Sequence, residues 1–376
     1  MLRKLHDLHR KYRGKRVEIK EKLSKILFDK KNKREEEFDL NKLNRILFLR
    51  YDDKIGDMVV TTMMFREIKK KYPNCKIDIV LKTKSDCIID ENPYIGNIYR
   101  YKKNILKDYR LSRVLKKNNY DLVFSFVEKM RGKEMFFIKN ISAKAYIGVN
   151  RKDYKYFKYS VNQYLNEHIT MRYKKMLEFI KIDDISDKYE LYLNKESEKK
   201  VESFFSNYSE INQKKIICIN PYGASKYRQI RMDKLEEIVS VILKKIDNVN
   251  LTFIFPPNKK LELEYFVNKL NDKRVSLFQG IETIKDSISI INKSDLIISP
   301  DTSIVHIASA LEKNQIAIYE QDYYQNKQSD NFMTWHPNSK RASVLFSRKK
   351  ETLEDRVYAD EIDLEELMSL IKNKIF

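Results

Sequence analysis

From residue 45 onward the chain alternates short apolar runs with amphipathic segments, and no other feature limits its fold so strongly. The runs are RILFL (45–49), KIDIVL (76–81), NIYRY (97–101), DLVFSF (121–126) and AYIGV (145–149), then KIICIN (215–220), LTFIF (251–255), VSLF (275–278), DLIIS (295–299) and QIAIY (315–319). Segments such as MFREIKKKY and LSRVLKKNN separate the first five, and residues 233–245, 259–270 and 283–292 separate the rest. Apolar strands each followed by a helix predict parallel sheets covered on both faces. Two such series in 376 residues exceed one core, so the chain reads as two doubly wound α/β domains. The first spans residues 45–182 and ends in the helical segment HITMRYKKMLEFIKI (168–182); the second spans 215–350. A polar stretch, 183–214, links them, and residues 351–376 form an amphipathic helical tail.

Residues 1–44 read differently. They are dense in lysine and arginine, with Leu2, Leu5, Leu8, Ile19, Leu23, Ile26 and Leu27 at loose helical spacing. Such a segment is either a surface helix facing anionic lipid or a helical extension packed on the domain behind it. The whole chain carries a formal charge of +21. A basic excess of that size calls for an anionic partner: nucleic acid, an anionic membrane surface or a phosphorylated substrate. The 24 tyrosines are scattered and no nucleic-acid module is recognisable, which disfavours the first. No signal peptide or membrane span is visible, and Cys75, Cys87 and Cys218 are too few and too dispersed for a disulfide framework or a zinc site. A cytoplasmic protein, soluble or peripheral, fits these features.

Ligands of open α/β sheets bind beyond the carboxyl ends of the strands, and three junctions there carry unusual residues. After the first strand comes RYDDKIGDMVVTT, where Gly56, one of only seven glycines, precedes Asp57. Gly56 is read as permitting a tight strand-to-helix turn and close approach of a ligand, and Asp57 as either a helix cap or a group facing that ligand. After KIICIN comes PYGASKYRQIR, in which Gly223, Ser225, Lys226, Arg228 and Arg231 offer a flexible turn and three cations, either a phosphate site or an ordinary basic loop. After DLIIS comes PDTSIVHIASA, where Asp301, Thr302 and Ser303 open a helix whose unpaired N–H groups suit an anion, with His306 in its first turns. The plain alternative there is an N-cap.

Together these junctions resemble glycosyltransferase family 9, the lipopolysaccharide heptosyltransferases. Arg50, Asp52, Gly56, Asp57, Thr61 and Thr62 are similar to that family's R-x-D-x-x-G-D-x-x-x-T-T signature. Asp301, Thr302, His306, Ala308 and Ala310 are similar to its D-T-G-x-x-H-x-A-x-A motif, with Ser303 in place of glycine. The PYGAS loop resembles the family's P-G-A-S…K-R-W-P loop less closely: Arg228 stands at the lysine position, and Ile230 and Arg231 replace Trp-Pro. Glu320 replaces a glycine common after the last strand. The resemblance covers residues 45–345 and leaves out residues 1–44.

It implies the GT-B fold, two Rossmann-like domains facing each other across a cleft, with acceptor on the first and nucleotide sugar on the second. The implied reaction is inverting transfer of a heptose from ADP-heptose to an anionic lipopolysaccharide core acceptor at the inner leaflet of the cytoplasmic membrane. Asp57 is the candidate base. Lys226, Arg228 and the N–H groups of Thr302 and Ser303 are the candidates for binding the diphosphate, and Asp301 for the sugar hydroxyls. No cofactor and no metal is implied: Asp52-Asp53 and Asp183-Asp184 are adjacent rather than D-x-D, and cations would screen the diphosphate instead. Lys82, Lys84, Lys102, Lys103, Arg131, Lys133, Arg151 and Lys152 supply basic charge in the acceptor half. Two alternatives stay open: another nucleotide sugar on a different glycan, and a non-catalytic basic protein that binds membrane or nucleic acid.

Overall fold

The computed structural model of the chain describes residues 19, 22–83, 85–127, 130–162, 167–207, 214–321, 330–349 and 357–376. Two six-stranded sheets organise it, and every strand pair is parallel. The first contains β1 (Arg45–Leu49), β2 (Lys76–Leu81), β3 (Ile95–Arg100), β4 (Leu122–Ser125), β5 (Ala145–Val149) and β6 (Tyr159–Val161), in the order β3-β2-β1-β4-β5-β6. The second contains β7 (Lys215–Ile219), β8 (Val249–Phe253), β9 (Val275–Ser276), β10 (Leu296–Pro300), β11 (Asn314–Tyr319) and β12 (Ala342–Phe346), in the order β12-β11-β10-β7-β8-β9. All ten apolar runs contain or overlap a strand. The sequence reading missed two, β6 and β12, which lie at sheet edges where the partly exposed chain loses the apolar signature.

Each sheet reverses its winding once, between β1 and β4 in the first and between β7 and β10 in the second. A crevice opens at such a reversal. The three marked junctions follow β1, β7 and β10, three of the four strands that flank these points.

The helices form by their apolar spacing. Helix α1 (Ile55–Lys71) is buried around most of its circumference from Met58 to Ile68, as a helix must be when it is covered on several sides. It packs on the first sheet, on α4 (Ile169–Glu178) and, across the domain seam, on α9 (Ser303–Ala310). The remaining helices are α2 (Ile105–Lys117), α3 (Gly132–Ile141), α5 (Lys195–Asn207), α6 (Met232–Lys245), α7 (Lys260–Leu270), α8 (Ile284–Lys293), α10 (Asp330–Trp335) and α11 (Leu364–Ile375). One buried apolar cluster runs through both domains.

Three domain boundaries move. The 183–214 stretch is not all linker: α5 packs on α8, and Ser197 Oγ donates to the buried Asp286 carboxylate at 2.7 Å. The connector proper is pinned to α1, where Thr62 Oγ1 accepts from Glu190 N at 2.9 Å and Arg66 donates to the carbonyls of Ser186 and Lys188. The tail helix α11 lies on β10, β11 and α6, so it belongs to the second domain. Of the two readings of the N-terminal segment, residues 22–44 fit the packed one. Asn32 Nδ2 donates to the Ala143 and Lys144 carbonyls, Arg34 Nη1 to that of Ser142, and Phe28 meets the Phe136 ring edge-on at 5.6 Å. A Cβ on Gly132 would fall 2.3 Å from Ser24 Oγ, so that glycine admits the N-terminal helix. Leu2, Leu5 and Leu8 lie outside the described residues.

Candidate active site

β1 delivers the first group of side chains. Arg50 continues the strand, its N–H bonded to Val80 O, and its side chain is 3% exposed. Its guanidinium lies 4.8 Å from the Phe126 ring centroid, with Nη2 2.6 Å from Asp57 Oδ1 and 3.8 Å from Asp52 Oδ2. A buried guanidinium demands such partners. Asp57 does not cap α1. The N-cap is Lys54, without a side-chain bond, and Asp57 stands in the first turn with its carboxylate turned to Arg50. Burial holds the Asp57 carboxyl above the usual range against the pull of Arg50, and Asp52 adds to the rise. The site therefore holds a desolvated carboxylate with a raised proton affinity, the property a general base needs.

Gly56 has a different role from the expected turn. No glycine among the described residues has positive φ; the left-handed residue of the junction is Asp53, at φ 63°, whose Oδ1 accepts from Thr83 N. A Cβ on Gly56 would lie 2.9 Å from His306 Cδ2 and 3.5 Å from Ser303 Cα. The glycine is a notch in α1 that receives α9 from the other domain. Thr61 and Thr62 are buried, and their hydroxyls bond the helix carbonyls of Asp57 and Val59.

The loop after β7 is stitched to β10. Asn220 Nδ2 donates to Tyr222 O and Ser299 Oγ, both at 3.0 Å, and reaches Thr302 Oγ1 at 3.3 Å. The chain then doubles back. Ile230 N bonds Pro221 O, Arg228 N bonds Ser225 O, and a Cβ on Gly223 would fall 1.6 Å from Arg228 O. Arg228 Nη1 lies 3.1 Å from Asp301 Oδ2, which also accepts from Asn331 Nδ2 at 2.8 Å. Burial raises the Asp301 carboxyl, and Arg228 offsets part of that rise. Lys226 is exposed, its Nζ 5.0 Å from the Tyr227 ring centroid. Arg231 is not part of this group: it grips the buried Asp360 carboxylate with Nε and Nη2, at 2.9 and 3.0 Å. Ile230, at the Trp position of the resembled motif, is buried.

Thr302 is the N-cap of α9, its Oγ1 accepting from Ile304 N. It and Ser303 wall a cavity of about 650 Å³ with Asn220, Tyr222, Gly223 and the Pro256-Pro257 turn. Ile55 and Cys87 close it from the first domain. This volume falls within the ordinary range of ligand sites. Thr283 and Ser287 at the start of α8 also line it. The sequence reading missed these and the prolines; the prolines follow the LTFIF strand directly and so marked a fourth junction.

His306 does not line that cavity. It is buried against Gly56, with the Tyr189 and Trp335 rings at 6.2 and 5.8 Å. Burial, with His168 and His336 nearby, pushes it down to about 3; burial and His336 push His168 down to about 4. Both are neutral in the folded chain near pH 6.5, where the unfolded chain begins to take up the protons. Folding stability from this pair is present above that pH and lost as pH falls toward 4. About 2–4 kcal/mol is expected to go by pH 5. Denaturant unfolding at pH 7 and pH 5 measures the loss, and His306→Gln is expected to remove about half of it.

Of the expected acceptor-side cations, Arg151 is buried and donates to the Asn150 and Val127 carbonyls. Lys103 and Lys133 are exposed, and Lys84 lies outside the described residues. The described residues contain no group of three or more His, Cys, Asp or Glu side chains placed to hold a metal ion.

Residues 109–363 match the profile of glycosyltransferase family 9 (heptosyltransferase); Asp57 lies ahead of that span. The putative lipopolysaccharide heptosyltransferase 4 of Escherichia coli (strain K12) is 24% identical over 309 residues, covering 80% of this chain and 81% of the relative. Among solved structures, the family 9 glycosyltransferase of Veillonella parvula DSM 2008 superposes with a TM-score of 0.74 at 15% identity, covering 89% of this chain and 97% of that one. The E. coli ADP-heptose lps heptosyltransferase II superposes at 0.65 with 14% identity, covering 87% and 98%. The two sheets, each wound about one reversal, are thus the Rossmann-like halves of a GT-B fold, and the chain belongs to glycosyltransferase family 9.

Proposed function

We propose that this glycosyltransferase transfers heptose, with inversion, from ADP-heptose to a lipopolysaccharide core acceptor. One observation carries the reading: Ile55, two residues before Asp57, lines the same cavity as Thr302 and Ser303. The first turn of α1 and the anion-binding start of α9 therefore border one space, while the Asp57 carboxylate in that turn faces Arg50 and is not among the cavity's walls. The acceptor hydroxyl attacks the anomeric carbon, its proton passes to Asp57, and the bond to the ADP oxygen breaks. Charge gathers on the departing diphosphate, where Arg228, Lys226 and the N–H groups at the start of α9 stabilise it. Asp301 orients Arg228 and takes sugar hydroxyls. Arg50 keeps Asp57 ionised by offering a fixed positive partner. No metal enters this scheme, so EDTA is expected to leave the rate unchanged.

The donor assignment draws on the family and on the similarity to the E. coli ADP-heptose lps heptosyltransferase II. The test is a panel of ADP-, UDP- and GDP-sugars, read by thermal shift and by transfer to a delipidated core oligosaccharide. Preference for a UDP- or GDP-sugar would replace the donor and leave the reaction class. For the diphosphate, Arg228→Ala is expected to weaken ADP binding by about 1.5–3 kcal/mol, the worth of a charged hydrogen bond. Unchanged affinity by calorimetry would move the role to Lys226.

The acceptor is anionic and lipid-borne, so the enzyme in this reading lies on the inner face of the cytoplasmic membrane. The charge of +21 suits that surface. No helix among the described residues is long and apolar enough to cross a membrane.

A further inference from the structure

A second cavity, of about 320 Å³, lies on the first domain between residues 22–28 and α2. Its walls are aromatic: Phe28, Tyr101, Tyr109, Phe136 and Phe137. Tyr109 stacks on Phe136 with centroids 5.8 Å apart, and Phe28 meets Phe136 edge-on. Ile105, Gly132, the inward-turned Asp108 and two exposed cations, Lys103 and Lys133, complete it.

The surface around the cavity is unusual for a water-facing one. On α2, Ile105 and Leu106 are 69% and 71% exposed; on the N-terminal helix, Ile26 and Leu27 are 74% and 60% exposed. Between and beyond them α2 exposes Lys107, Arg110, Arg113, Lys116 and Lys117. The one acidic residue of α2, Asp108, is turned inward and accepts from Lys102 N. The exposed side of α2 thus combines apolar and cationic side chains and carries no acid. Nucleic acid would account for the cations and leave the isoleucines and leucines unexplained. An anionic bilayer accounts for both, because phosphates meet the lysines and arginines while apolar side chains enter the acyl boundary.

We propose that residues 22–28 and α2 form a docking face for an anionic bilayer, and that the aromatic groove between them receives one acyl chain of a bilayer lipid. The proposal rests on the membrane-associated reading above and says which face meets the membrane. It places the docking face on the acceptor-binding domain, beyond the carboxyl ends of β3 and β4.

The test uses the full chain and vesicles of phosphatidylcholine with or without 30% phosphatidylglycerol, by sedimentation at 50 and 150 mM salt. The wild type is expected to bind the anionic vesicles at least tenfold more tightly than neutral ones. Ile105→Ser/Leu106→Ser is expected to lose at least tenfold of that binding at both salts, with ADP affinity and melting temperature unchanged. Lys107→Glu/Arg110→Glu is expected to lose binding chiefly at the lower salt. In a Tyr109→Trp variant, vesicles with brominated acyl chains are expected to quench the added fluorescence. If the wild type ignores anionic vesicles, this face and the membrane reading both fall. If the wild type binds and the Ile105/Leu106 variant binds equally, the face falls and the membrane reading stands. Absence of quenching removes the groove as an acyl site, and RNA that displaces vesicles without regard to Ile105 and Leu106 overturns the proposal in favour of a polyanion site.

Discussion

Asp57→Asn is expected to slow sugar transfer by a factor of about 10²–10⁴, the range lost with a general base, while ADP affinity stays as it is. The amide keeps the shape of the carboxylate and cannot take the acceptor proton. The change also reaches Arg50. Among the described residues its buried guanidinium then keeps Asp52, at 3.8 Å, as its one anionic partner, so the variant is expected to melt earlier by roughly 1–3 kcal/mol of stability. Assays well below the melting point separate the two effects. The wild-type rate should rise with pH as Asp57 loses its proton, with the inflection above the ordinary aspartate range because burial raises it. A rate that is flat through that region, or an Asp57→Asn enzyme with wild-type turnover, removes Asp57 from the mechanism.

Gly223→Ala is expected to be nearly as damaging, by another route. The added carbon would fall 1.6 Å from Arg228 O, far inside van der Waals contact. The loop from Pro221 to Ile230 must then open, breaking the Ile230 N to Pro221 O bond and carrying Arg228 away from Asp301. ADP affinity is expected to fall at least tenfold, from loss of a charged contact, with the melting temperature about 5 °C lower. Wild-type ADP binding by Gly223→Ala would show that the fold of this loop does not shape the donor site.

The strands were legible because parallel strands covered on both faces must be apolar throughout, as RILFL and DLIIS are. The strand-end positions of Asp57, Gly223 and Asp301 followed from the same pattern. Partners distant in sequence were not legible. That Arg231 belongs to Asp360, 129 residues away, is invisible to local spacing. The reading of Gly56 failed in an instructive way: the turn it was assigned to make is made by Asp53, since aspartate tolerates the left-handed region. What Gly56 accommodates is a histidine 250 positions later. The N-terminal segment left two readings open because its high charge hid Asn32 and Arg34, whose bonds to the backbone of the first domain fit the packed one.

The notch at Gly56 also sets how near the two domains can come. A Cβ there would meet His306 Cδ2 at 2.9 Å and Ser303 Cα at 3.5 Å, one residue from Asp57. A bulkier residue at position 56 is therefore expected to push α9 off α1 and to widen the gap between the candidate base and the candidate anion-binding turn.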